Sequence, residues 1–254
     1  MLLVIDVGNT QTVLGVFDGE ELVDHWRIAT NPERTSDESA LLVQQLLGQR
    51  GIDGRELDGI AVASVVPLIT ASVREATRRY FGKAALVVEP GVRTGVPVLI
   101  DNPKEVGADR IVNAVAAIES YALPAIIVDL GTATTFDVVS HRGEYLGGVI
   151  LPGVEVSAEA LVRRTAALRR VELVEPRNVI GRSTVEAIQS GLMYGAAATV
   201  DGLCRRISTQ LEGEPTVVAT GGLARVIAPL TEMITEVDPW LTLRGLRLVW
   251  ERNR

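Results

Sequence analysis

Lysine is almost missing from this chain. Only Lys83 and Lys104 occur among 25 basic residues, and the rest are arginine, a bias that reads as genome composition. No glycine-rich loop ends in Lys-Ser or Lys-Thr, so a phosphate cradle of the Walker type is excluded and a nucleotide must be held by another device. Histidine is scarce as well. His25 and His141 stand far apart with no metal-ligand spacing, which argues against zinc and against Ser-His-Asp or Cys-His nucleophilic catalysis. A single cysteine, Cys204, allows no intramolecular disulfide, fits a reducing compartment, and lies in an apolar helical stretch as a core residue would. No apolar run approaches the ~18 residues that cross a bilayer. The chain enters a strand pattern at Leu2 with no basic segment or cleavage site before it, so no secretory leader and a cytoplasmic location are expected. A net charge of −7 gives no overall attraction for nucleic acid or an acidic membrane, and neither is expected as a partner.

What is present is 47 % hydrophobic residues with only 4 % aromatics, so Val, Ile, Leu and Ala must fill the core. At 254 residues that core could serve one large domain or two small ones. A repeat decides between them. Ile5-Asp6-Val7-Gly8-Asn9-Thr10-Gln11-Thr12 is echoed by Val128-Asp129-Leu130-Gly131-Thr132-Ala133-Thr134-Thr135, and the two aspartates are 123 positions apart, near half the chain. Self-similarity on that scale predicts two related halves, divided at about 118/119, with a shared hinge and the ligand held between them.

Each copy is an apolar run that suits a buried strand, an Asp at the strand end, a Gly, hydroxyl and amide side chains, and a return to strand composition. The carboxylate can hold a hydrated Mg²⁺, which takes one or two carboxylates together with waters and phosphate oxygens. Gly8 and Gly131 let the backbone turn and approach a phosphate. Asn9, Thr10 and Thr12, with Thr132, Thr134 and Thr135, offer neutral donors to phosphate oxygens. A lone copy would be an ordinary hairpin turn; two matched copies point to nucleotide phosphates. Thr220-Gly221-Gly222, after a strand and before a helix, is a third loop, suited to a flat ring packed on backbone.

The predicted order is strand, strand, strand, helix, strand, helix, strand, that of a ribonuclease-H-like domain. Thr35-Ser36-Asp37-Glu38 is a capping box that starts a helix running to about Gly48. Another helix is expected from about Lys104 to Tyr121. The second half repeats the plan, with a helix over Val154 to Leu168 and a long helix opened by the capping box Ser183 to Glu186 and running to about Leu211. A helix from Leu223 to Leu230, a last strand at Leu241 and Leu243, and a short helix from Leu246 to Trp250 complete it. On the long helix, Gly191, Gly195 and Ala198 form a small-residue face open to another helix, in the same chain or in a second one.

These features together resemble the actin, Hsp70 and sugar-kinase superfamily: an α/β chain of two ribonuclease-H-like domains in tandem. Within it, Asn102-Pro103-Lys104-Glu105-Val106-Gly107-Ala108-Asp109-Arg110 resembles the signature of the type III pantothenate kinases. So do Asp6-Val7-Gly8-Asn9-Thr10, the stretch from Asp129 to Thr135, and Gly147-Gly148-Val149-Ile150-Leu151-Pro152-Gly153. The resemblance covers essentially the whole chain. It implies ATP-dependent phosphorylation of the terminal hydroxyl of pantothenate, the first step of coenzyme A synthesis. Asp109 would be the base, with Arg110, Gly107, Ala108 and Ile100 lining the pantothenate site. Asp6, Val7, Gly8, Asn9, Thr10, Gln11, Thr12 and Val13 would bind ATP, as would Thr132. It further implies Mg²⁺ at Asp6, a monovalent cation (K⁺ or NH₄⁺) at Asp129, and a homodimer in which Thr184 reaches the partner's pantothenate. Where the family pattern carries Tyr before the Asp-Asn-Pro stretch, this chain has Ile100, which keeps shape and loses a hydroxyl contact. A kinase for another small hydroxyl substrate and a non-catalytic nucleotide-binding regulatory dimer are the rival readings. The Asn-Pro-x-Glu-Val-Gly-Ala-Asp-Arg run argues against the first, and the intact Asp6, Asp109, Arg110 and Asp129 against the second.

Overall fold

The structure, a computed structural model, describes residues 1–165 and 168–254. In chain order the elements are β1 (Leu2–Val7), β2 (Gln11–Asp18), β3 (Glu21–Ala29), α1 (Ser36–Gly48), β4 (Gly59–Ser64), α2 (Pro67–Phe81), β5 (Leu86–Val87) and α3 (Ala108–Ser120). They continue as β6 (Ala125–Leu130), β7 (Ala133–Val139), β8 (Tyr145–Pro152), α4 (Val154–Arg164), α5 (Thr184–Ser208), β9 (Thr216–Thr220), α6 (Ala224–Ile227), β10 (Glu236–Val237) and α7 (Leu241–Glu251). Two compact units contain them. The first comprises Met1–Val96, Asn102–Ala116 and Leu241–Arg254; the second comprises Pro97–Asp101 and Ala117–Trp240. Both units are discontinuous in sequence, and the C-terminal segment belongs to the first.

Each unit holds one five-stranded sheet. The first has the order β3-β2-β1-β4-β5 and the second β10-β9-β6-β7-β8. In both, the first three strands are antiparallel and the later two join in parallel. This is the ribonuclease-H-like order expected of each half. The central strands β1 and β6 are buried along nearly their whole length, which is why they read as continuous apolar runs.

One face of the first sheet presents Leu3, Ile5, Val7, Leu14 and Val16 to Leu47 of α1 and Val73 and Phe81 of α2. The other face takes α7. Gly59 leaves no room for a Cβ beside the Trp250 indole, and a Cβ on Gly15 would lie 2.9 Å from Leu243 Cδ1. Gly245 of α7 similarly abuts the Val112 carbonyl of α3, so these two helices cross in backbone contact. In the second unit Ile126, Val128, Leu130 and Phe136 pack with Met193, Val200 and Cys204 of α5. Cys204 is the expected core residue, and burial pushes its thiol up to about 12. His25 lies exposed on β3 and His141 in the turn after β7.

The helix starts follow the caps. Thr35 accepts the Glu38 amide at 3.2 Å and Glu38 returns a bond from the Thr35 amide at 2.9 Å. Ser183 accepts the Glu186 amide at 3.2 Å, while Glu186 reaches one residue further back, to the Arg182 amide.

Several sequence expectations change. Leu241 and Leu243 open a helix and not a strand: they alternate by chance, and only the buried set Leu241, Leu243, Gly245, Leu246 and Val249 reveals helical packing. The helix expected from Lys104 starts at Ala108, after a 3₁₀ turn at Pro103–Glu105 and an extended Val106. The α6 helix stops at Ile227 and tightens into a 3₁₀ turn at Ala228–Leu230, because Pro229 has no N–H to continue the ladder. The α4 helix ends at Arg164 and not at Leu168; Ala166 and Ala167 lie outside the described residues. The two-residue β10 is exposed and carries no apolar signal.

Candidate active site

The first loop of the repeat is the three-residue turn Gly8-Asn9-Thr10 between β1 and β2. Gly8 donates its amide to the Gln11 carbonyl at 3.0 Å. Asp6 is half-buried, one residue from the end of β1, paired across the sheet with Val13 and Ala63. Its neighbours Ile5 and Val7 point into the core facing α1 and α2, so strand alternation turns the Asp6 carboxylate to the other face. Asn9, Thr10 and Gln11 are exposed at the tip, and Val13 is half-buried. Thr12 differs from its neighbours. It is 8 % exposed, and its hydroxyl lies 2.9 Å from that of Thr30, whose single proton goes to the Gly8 carbonyl at 2.8 Å. Thr12 is therefore the donor to Thr30, and its hydroxyl proton is committed beneath the loop.

The second loop is shorter: Gly131 and Thr132 alone separate β6 from β7, with the Gly131 amide donating to the Ala133 carbonyl at 3.1 Å. Asp129 pairs with Thr135 and Thr220. The register shows that the sequence alignment of the two copies slips after the glycine. Val7 faces Thr12 and Leu130 faces Thr134, so Thr134, 4 % exposed, occupies the place of Thr12, and not Thr135. The Asp129 carboxylate is closely surrounded by backbone. A Cβ on Gly131 would come within 3.3 Å of its Oδ1, and Gly221, at φ +90°, leaves no space for one against the same oxygen. Thr220-Gly221-Gly222 thus covers Asp129, and Leu223 donates to the Leu130 carbonyl at 3.1 Å. Thr132 is exposed at the loop tip.

The Asn102 to Arg110 run builds its own turn. Asn102 accepts the Lys104 amide at 3.4 Å and donates through Nδ2 to Glu105 at 2.7 Å, which fixes the 3₁₀ turn. Pro103 sits at the first position of that turn, where its missing N–H costs nothing. Asp109 lies in the first turn of α3, where an acidic side chain is favoured by the helix dipole. The Arg110 amide donates to Asp109 Oδ1 at 2.9 Å. Gly107 precedes the helix; any Cβ there would strike the same Oδ1 and lie 3.6 Å from Val65 Cγ1. Burial raises the Asp109 pKa above the ordinary carboxylate value, against the lowering pull of the Arg110 amide and guanidinium. Val65 in turn donates its amide to the Val7 carbonyl at 3.1 Å, so Gly107 and Asp109 stand at the same C-terminal end of the central strands as Asp6.

The structure therefore brings Asp6 to Val13 together with Gly107, Ala108, Asp109 and Arg110 in the first unit, while Asp129, Thr132, Ile100 and Thr184 belong to the second. Ile100 lies in the Pro97–Asp101 segment, which joins the edge of the second sheet through Leu99 and Tyr145 amides bonded at 2.8 Å. A Cβ on Gly147 would sit 3.4 Å from Ile100 Cγ2, which pairs a residue of one expected motif with the one departure from the family pattern. Thr184 is exposed at the start of α5 and lines a surface cavity with Arg169, Ser183, Val185 and Ile188. Thr30 is the member of the site that the sequence does not announce; a lone Thr after a strand carries no pattern.

Among the described residues, no group of three or more His, Cys, Asp and Glu side chains could hold a metal, and no helix is long and apolar enough to cross a membrane.

Comparison with known proteins adds an independent line. A family model described as type III pantothenate kinase matches residues 2–206. A type III pantothenate kinase of Streptomyces griseus is 59 % identical, over 100 % of this chain and 98 % of its own. Among solved structures, a Campylobacter jejuni Baf-family protein described as a transcriptional activator superposes with a TM-score of 0.63 at 18 % identity, covering 99 % of this chain and 98 % of its own. A ROK hexokinase from Thermus thermophilus gives 0.53 at 15 % identity, covering 100 % and 99 %. At such identities the two structures bear on the fold alone, which is that of the actin-like ATPases and sugar kinases.

Proposed function

The chain belongs to the type III pantothenate kinase family, and on that footing we propose how its own residues carry the reaction. It phosphorylates the terminal hydroxyl of pantothenate with ATP, the first step of coenzyme A biosynthesis. The hydroxyl oxygen attacks the γ-phosphorus, the bond from that phosphorus to the leaving oxygen of ADP breaks, and the hydroxyl proton passes to the Asp109 carboxylate. One observation supports this most: the Asp109 carboxylate lies over Gly107, where a Cβ would displace it, at the end of the central strands that carries Asp6. Burial raises the Asp109 pKa, which makes the carboxylate a better proton acceptor than that of a free aspartate.

The remaining roles follow from chemistry. Arg110 holds the pantothenate carboxylate by a charge-assisted fork, and Gly107, Ala108 and Ile100 line that substrate. Asp6, Val7, Gly8, Asn9, Thr10, Gln11, Thr12 and Val13 form the segment on the ATP phosphates, and Thr132 also contacts the nucleotide. Asp6 fits the Mg²⁺ that accompanies ATP, since that ion needs one or two carboxylates and takes its other ligands from water and phosphate. When bound it neutralises charge that develops on the phosphoryl oxygens. Asp129, a carboxylate walled by glycine backbone, fits K⁺ or NH₄⁺.

We place two copies in the working molecule. Gly191, Gly195 and Ala198 are exposed on α5, and a Cβ on either glycine would meet nothing within 4 Å, so their close-packing face is open in the single chain. A homodimer through α5 would carry Thr184 to the partner's pantothenate. The protein acts in the cytoplasm on these small molecules.

The test is ADP release with Mg²⁺ and K⁺, with pantothenate, glucose and acetate offered as acceptors. Pantothenate-dependent turnover that falls at least ~100-fold in Asp109→Asn is expected, the usual contribution of a general base. ATP binding without turnover on any acceptor would overturn the kinase reading.

A further inference from the structure

The loop between β1 and β2 is gripped from outside its own motif, and the grip is repeated in the second unit. Thr30 is the first residue after β3. Its amide donates to the Thr10 carbonyl at 3.0 Å and its hydroxyl to the Gly8 carbonyl at 2.8 Å, so one residue takes a carbonyl at each end of the turn. The Thr12 hydroxyl donates to it from below at 2.9 Å and fixes its rotamer. Gly153 is the first residue after β8, the topological counterpart of β3. Its amide donates to the Thr132 carbonyl at 3.1 Å, the same bond in the other copy. The loops differ by one residue, and the gripping residues differ to match. The two-residue loop brings the Gly131 and Thr132 carbonyls so close that no Cβ fits at 153. The three-residue loop leaves a gap that the Thr30 side chain fills.

We propose that Thr30 is a positioning residue for the ATP-phosphate loop: it holds the Gly8 and Thr10 carbonyls back against β3, so that the turn keeps one conformation and presents its donors outwards. This rests on the reading of Gly8 to Thr10 as a phosphate loop. Carbonyl oxygens are acceptors that repel phosphate oxygens; a loop free to flip a peptide would turn one towards the anion. The hydroxyl of Thr30 matters because it is the only side-chain group bonded to the Gly8 carbonyl among the hydrogen bonds described.

Thr30→Val keeps shape and β-branching and removes the hydroxyl. The KM for ATP should rise about tenfold, the effect of one lost hydrogen bond, while the KM for pantothenate stays within about twofold. Thr30→Ser should restore the KM for ATP. Thr30→Val also strands the buried Thr12 hydroxyl, so some loss of melting temperature is expected. The double variant Thr12→Val/Thr30→Val removes that unsatisfied group and should recover the melting temperature, yet keep the raised KM for ATP. Recovery of both together would show a structural role only and overturn the proposal, as would an unchanged KM for ATP in Thr30→Val. Should Thr30→Val fold poorly, the KM for ATP of the double variant is compared with that of Thr12→Val, which keeps the Thr30 bond to Gly8; equal values would overturn the proposal. Asp6→Asn serves as the control. If it leaves MgATP binding intact, the phosphate-loop reading fails; if it weakens binding while the Thr30 variants do not, only the Thr30 inference fails.

Discussion

Asp109 sits in an environment that would serve the proposed proton abstraction at the expense of stability. Desolvation is the largest influence on its carboxyl and raises the pKa above that of the unfolded chain. The folded state binds this proton more tightly than the unfolded state, so the ionised form of Asp109 opposes folding, and the opposition fades as pH falls through the raised pKa. Asp109→Asn should therefore melt at or above the temperature of the parent at pH 7 while its turnover collapses. In the parent, kcat/KM for pantothenate should decline on the acid side at a pH above that set by an unperturbed aspartate, as a pH–rate profile would show. A profile flat down to the ordinary carboxylate range would remove Asp109 as the base. The aspartates and glycines of the site were legible in the sequence because each is chemically unusual where it stands. Thr30 was not, since threonine after a strand is common and its role appears only when the Gly8 carbonyl is seen above its hydroxyl. Thr12 was legible as a hydroxyl but its direction was not, because it lies inside β2 opposite Val7, on the core face that Leu14 and Val16 share.

At the scale of elements, two glycines on helices make opposite predictions. Gly245 of α7 lies against the Val112 carbonyl of α3, one helical turn from Asp109, whereas a Cβ on Gly202 of α5 would meet nothing within 4 Å. Gly245→Ala should cost about 1–3 kcal/mol by forcing the helices apart and should lower kcat as α3 shifts. Gly202→Ala should gain about 0.5–1 kcal/mol from helix propensity and a less flexible unfolded chain. Thermal melts of the two variants read both, at roughly 2–4 °C per kcal/mol for a chain of this size. Strands, caps and the order of elements could be read from pattern because they depend on local chemistry. The final helix could not. Its leucines at 241 and 243 imitate alternation, and the contact that settles them, Gly59 and Gly15 against Trp250 and Leu243, joins residues from opposite ends of the chain.

For the whole molecule, the proposed homodimer rests on the open face of α5. Gly195→Leu fills the space a second helix would need, and in sedimentation the variant should run as a monomer where the parent runs as a dimer. Its pantothenate KM should rise as well, because Thr184 would no longer reach a neighbouring copy. A parent that is monomeric at micromolar concentration would remove that arrangement. Two halves were foreseen from the repeat, since an Asp-Gly turn that recurs half a chain away is a pattern in one dimension. That the last helix belongs to the first half is a fact of three dimensions and left no mark in the spacing.

That last helix also orders events in time. A ribosome releases β1 to β5 long before α7, so one side of the first sheet, with Gly15 and Gly59 on it, waits bare until the second unit has been synthesised. The newborn N-terminal half is thus a candidate client for a chaperone, and the kinase completes its earliest-made part last.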